Sequence, residues 1–160
     1  MGTRRGRALF AGATAIAGVI AVGGIALASG AGDRLKADLS GLNEVPVADP
    51  DGDGRARVDV DVQGGSVCFR VKFDETGTPN RGHIHVGEAD VNGGIVVPLF
   101  ELVGMPADAR NDALEDGKLE ACVDADPAVL QAILDNPDGY YVNLHNSRFP
   151  AGAIRGQLHE

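Results

Sequence analysis

Two short runs hold the residue types best suited to chemistry, His83-Ile84-His85-Val86-Gly87 and Tyr140-Tyr141-Val142-Asn143-Leu144-His145. Alternate side chains of an extended strand share a face. His83 and His85 therefore project together, with Ile84 and Val86 opposite. In the second run Tyr141, Asn143 and His145 share one face, and Tyr140, Val142 and Leu144 the other. Aliphatic faces turned into a core leave these three histidines on the far side of their strands. Neutral imidazoles suit copper and zinc, and a His-x-His pair with a third His from another strand makes a three-nitrogen set. Glu88 or Asp90 would orient or supplement it. The plainer role is structural, with the rings bonded to backbone or to Asn143 and holding strand ends and loops.

Other constellations are weaker. Asp49-Pro50-Asp51-Gly52-Asp53-Gly54 starts like a calcium loop, but Val60 stands at the twelfth position, where a bidentate Glu is required. An acidic turn is the better reading. Arg155 could pair with Glu44 or an acidic loop residue, or bind an anion. No nucleophile elbow or phosphate-cradling loop is present, which points away from an enzyme. The chain has no tryptophan and is 4% aromatic, too few rings for a platform on which sugars stack.

The elements that must position these residues read mostly as strands. Arg55–Val62 alternates Ala56, Val58, Val60 and Val62 with charged residues, and Ser66–Phe73 alternates Val67, Phe69, Val71 and Phe73. A period of two indicates half-buried antiparallel strands. With the turn Gly64-Gly65 the pair forms a hairpin. Further strands are expected over Arg34–Leu39, His83–Gly87, Ile95–Val103, Lys118–Val123, Gly139–His145 and Ala153–Leu158. Asp74–Gly82 and Met105–Gly117 read as loops. One short helix starts at the N-cap Asp126 with Pro127 behind it, burying Val129, Leu130, Ile133 and Leu134. This pattern predicts an all-β sandwich or barrel.

The N-terminal segment bears on the compartment. Arg4, Arg5 and Arg7 precede an uncharged run, Ala8–Ala28, closing on Ala26-Leu27-Ala28. That is the layout of a signal peptide over residues 1–28 cleaved after Ala28, with retention as an anchor the alternative. A linker, 29–33, and one domain, 34–160, follow. Without the three signal arginines, 14 basic residues fall to 11 against 23 acidic ones, a formal charge of −12. Such a surface repels nucleic acid, and no membrane contact is expected beyond the signal segment. In an oxidising compartment Cys68 and Cys122 suggest a disulfide, the alternative being two buried thiols.

Four motifs in order resemble the CHRD domain: Leu42-Asn43-Glu44-Val45-Pro46, His83-Ile84-His85-Val86-Gly87 with Asn92-Gly93-Gly94, Gly139–His145, and Gly152–Leu158. The resemblance covers 34–160 and implies an immunoglobulin-like antiparallel β-sandwich. It marks Asn43, Glu44, Pro46, Asn143 and Arg155 as structural motif residues. It also implies a secreted, non-enzymatic binding or structural module whose partner is an extracellular protein or envelope component. The His-x-His strand is similar to that of copper-zinc superoxide dismutases. Those enzymes need six histidines and an aspartate, and this chain has four histidines. The alternative function is a copper or zinc protein, redox or metal-handling, built on His83, His85 and His145.

Overall fold

The computed structural model describes residues 33–103, 114 and 117–160. The expected signal peptide lies outside the described residues, as does the linker except for Asp33. Among the described residues there are eight strands: β1 Asp33–Ser40, β2 Asp53–Asp61, β3 Ser66–Asp74, β4 Pro79–Val86, β5 Ile95–Glu101, β6 Lys118–Asp124, β7 Tyr140–Asn146 and β8 Ile154–Gln157. One helix, α1 (Pro127–Asp135), lies between β6 and β7. Every strand pairing is antiparallel. One series joins them all, β5-β4-β7-β8-β1-β2-β3-β6. The edge strands β5 and β6 approach within 8 Å at their Cα atoms, so the sheet curls into a nearly closed, barrel-like form. Phe69 of β3 and Phe100 of β5 stack across the interior with centroids 6.1 Å apart.

The period of two is realised strand by strand. Leu35, Ala37 and Leu39 of β1, Ala56, Val58 and Val60 of β2, and Val67, Phe69 and Val71 of β3 are all buried. Each large aliphatic side chain fully removed from water contributes about 1.5–3 kcal/mol. The helix forms as its caps dictate. The Asp126 side chain accepts from the Ala128 amide, Pro127 occupies the first turn, and Asn136 closes the last. Leu130 and Ile133 are fully buried and join the same core.

Several expectations need correction. β4 starts at Pro79, inside the segment Asp74–Gly82 read as loop. A proline is tolerated as the first residue of a strand, because no ladder donor is required of it there. Gly82 belongs to this strand too, and a Cβ on it would stand 2.3 Å from the Phe100 ring. Val86 does not share the core with Ile84; it is 43% exposed, because β4 ends there beyond the core. β5 stops at Glu101, whose carboxylate accepts from the Val103 amide, leaving Val103 exposed.

Cys68 and Cys122 stand opposite each other in the β3–β6 register and are joined in a disulfide. In the acidic turn Asp49 is buried and accepts from the Thr76 hydroxyl at 3.1 Å. Asp51 is exposed, and Asp53 already belongs to β2.

Candidate metal centre

The centre is built where β4 and β7 pair. Their register sets His83 against Asn143 and His85 against Tyr141, while His145 faces Arg81. Ile84, Val142 and Leu144, on the opposite face, are fully buried in the main core. The imidazoles do lie on the far side of their strands, but that side is covered. His83, His85 and His145 are only 8%, 8% and 6% exposed. Two backbone carbonyls reach them: Gly93 O lies 3.0 Å from His85 Nδ1, and Pro150 O lies 3.2 Å from His145 Nδ1. Gly93 can approach so closely because it carries no side chain; a Cβ there would collide with the Val86 carbonyl.

These contacts fix protons. A carbonyl oxygen only accepts, so His85 and His145 each donate through Nδ1 and keep an Nε2 lone pair. The His145 lone pair faces His83 Nδ1 at 3.1 Å. His85 Nε2 is buried with no hydrogen-bond partner. One nitrogen from each ring lies within 4.8 Å of the others. The rings are neutral at pH 7. Burial lowers the pKa of all three below the ordinary histidine value, and His145, also repelled by His83, falls to about 4.

An orphaned imidazole nitrogen beside two neutral rings is a donor set that suits copper or zinc. Carbonyl partners on the opposite ring nitrogens orient ligands in just this manner. Around one ion with Zn–N bonds of about 2.0–2.1 Å, the nitrogens would need to draw together by about 1 Å. Glu88 and Asp90 do not join the set. Both are exposed on the loop that delivers Gly93, so their carboxylates remain in water. His159 is elsewhere, with Nδ1 donating to the Lys36 carbonyl at 3.0 Å.

A second buried polar group adjoins the first. Arg155 is 2% exposed. Its Nε donates to the Asn43 carbonyl, and one Nη to Val91 O and Asn92 Oδ1. Asn43 returns a bond from its amide to the Arg155 carbonyl at 3.1 Å. The guanidinium also lies 4.8 Å from the Tyr141 ring centre, and that ring stacks on His85 at 4.9 Å. Arg155 thus gathers the loops carrying Asn43 and Asn92, and Asn92 ties back to Val45 O at 2.7 Å. Of the partners open to Arg155, Glu44 forms no ion pair with it: among the described residues the salt bridges are Arg34–Asp59, Arg55–Asp38 and Arg70–Glu120. Pro46, after a cis peptide bond, is exposed beside this cluster. Asn143 is buried between His83 and Arg155 in the register, its Oδ1 without a partner. The motif Asn92-Gly93-Gly94 was visible in the sequence, but its work, one carbonyl for His85 and one side chain for Arg155, was not.

The CHRD domain family model matches residues 35–158. The chain belongs to the CHRD family. No curated protein and no solved structure matches it. The match takes in every described strand of this CHRD domain except the first residues of β1, so the three-histidine cluster and the Arg155 cluster both fall within it.

Glu44 makes the stability of the CHRD domain depend on pH. It is 5% exposed, and burial pushes its carboxyl up to about 7, against the pull of Arg155. Unfolded, the same carboxyl titrates near 4.5. The folded state holds the proton more tightly, so this stabilisation is complete below 4.5 and lost as pH rises to about 7. His145 has the opposite sign: its contribution is complete above 6.5 and lost as pH falls toward 4. Glu44→Gln is expected to change little at pH 5 and to stabilise by about 1–3 kcal/mol at pH 8. Thermal melts at both pH values check this; equal shifts at the two would refute it.

Proposed function

We propose that this CHRD protein is a non-enzymatic, extracytoplasmic module that binds one copper or zinc ion through His83, His85 and His145 and resides among envelope components. The observation that carries the reading is the convergence of three neutral, buried imidazoles, one with an unpartnered nitrogen. The disulfide and the signal-like layout of residues 1–28 support the compartment. Among the described residues no helix is long and apolar enough to cross a membrane. An immunoglobulin-like sandwich belongs to the same reading: β5-β4-β7 and β1-β2-β3-β6 would be its faces, with β8 joining them.

The test is metal content and melting of tag-free protein. A folded-state ligand at about 100 times its Kd stabilises by about 2.7 kcal/mol, a rise in Tm on the order of 10 °C for a domain of this size. Copper or zinc is expected to give that rise with one ion per chain, and His85→Ala is expected to abolish it. Failure of both metals to move the wild-type Tm would end the metal reading.

A further inference from the structure

The protein has a formal net charge of −9, yet its cations are not spread evenly. The outer face of β1, β2, β3 and β6 carries two rows fixed by the register. Lys36, Arg57 and Arg70 stand side by side in one, and Arg55, Lys72 and Lys118 in the next. Only two carboxylates share these rows: Asp38 pairs with Arg55 at 3.3 Å, and Glu120 with Arg70 at 2.6 Å. Lys36, Arg57, Lys72 and Lys118 make no salt bridge to any described residue. A shallow groove of about 480 Å³ runs along the first row and reaches Arg55 and Lys72.

Four cross-strand neighbours here are like-charged: Lys36–Arg57, Arg57–Arg70, Arg55–Lys72 and Lys72–Lys118. Like charges directly opposite on a sheet destabilise it. A sequence with 23 acidic residues could have placed alternating signs on these positions. The repulsion is relieved when an anion bridges the rows.

We infer that this face binds a linear anionic glycan, carboxylated or sulfated, laid across the two basic rows. The inference relies on the extracytoplasmic placement proposed above and is independent of the metal centre. The groove is lined by no Phe, Tyr or Trp, the rings on which single-stranded nucleic acid stacks its bases, and His159 at its margin is held by the Lys36 carbonyl. The exposed large aliphatics, such as Leu42, Val91 and Ile95, all lie outside these rows, so nothing on it would insert into lipid. A rigid duplex or a membrane sets many anions against the whole acidic body, whereas a slim chain meets the cations within a Debye length of about 8–10 Å. Recognition here is by charge, which is consistent with a sequence too poor in rings for sugar stacking.

The experiment uses the full chain with labelled polygalacturonate and dextran sulfate, one probe for each anionic group. Phosphatidylglycerol vesicles and oligo-dT serve as comparators. Saturable binding to at least one polymer is expected at about 50 mM NaCl, weakened at least about tenfold at 500 mM by counterion release. Arg57→Glu with Lys72→Glu is expected to abolish it, while Arg148→Glu, an exposed cation off this face, keeps affinity within about twofold. The double variant should also melt at or above the wild-type Tm, because it removes all four like-charge neighbours; if it melts lower, Arg57→Gln with Lys72→Gln takes its place. No binding to either polymer, unchanged binding by the folded double variant, or tighter binding to vesicles or oligo-dT overturns the proposal. Loss of metal binding would leave it standing.

Discussion

Arg155→Met is expected to destabilise the domain by about 3–5 kcal/mol, the cost typical of removing one partner from a buried charged network. Methionine keeps most of the apolar stem, so the loss isolates the polar part. The substitution strands three acceptors, the carbonyls of Asn43 and Val91 and the side-chain oxygen of Asn92. It also removes the cation over Tyr141 and the positive charge that holds the Glu44 carboxyl down against its burial. Denaturant unfolding in metal-free buffer measures the effect. Arg155→Lys should recover little, because a point charge cannot reproduce donation from both Nε and Nη. A loss below about 1 kcal/mol, the scale of a single neutral hydrogen bond, would show that Arg155 does not hold the loops.

Replacing both Cys68 and Cys122 with alanine is expected to cost about 4 kcal/mol. The bridge spans a sequence separation of 54, and in the chain-entropy account a loop of that length lowers unfolded-state freedom by about this amount. The bridge also ties down β6, an edge strand whose residues are mostly exposed and which pairs only with β3. Unfolding of the double variant, and of wild type under reductant, should agree. A change under about 1 kcal/mol in both would mean that the β3–β6 ladder suffices without the bridge.

Much of the sheet was legible because alternation is a local property. Val58, Val60, Val67 and Val71 declare their face within a few residues, and Asp126-Pro127 declares the helix. The sequence pattern starts β4 at His83 instead of Pro79, because proline, asparagine and glycine resemble a loop when their strand partners are unknown. The three histidines were correctly grouped on one side, but a period of two says which side a residue takes and not what lies over it. The carbonyls of Gly93 and Pro150 come from loops whose course only the tertiary structure fixes. The same limit hid the basic rows. Lys36, Arg57 and Arg70 are far apart in sequence, and overall composition pointed to an acidic exterior. Register alone makes them neighbours.

The place of β8 in the sheet sets the order in which the domain can assemble. Its four residues, Ile154–Gln157, are the hydrogen-bonded link between β5-β4-β7 and β1-β2-β3-β6. A polypeptide still emerging from the ribosome holds the first strand long before the last, and pairings so distant form slowly. The two groups can therefore lock only once β8 itself has been made. Until then β7 in one group and β1 in the other each keep an open edge, a template for pairing that the last strand closes.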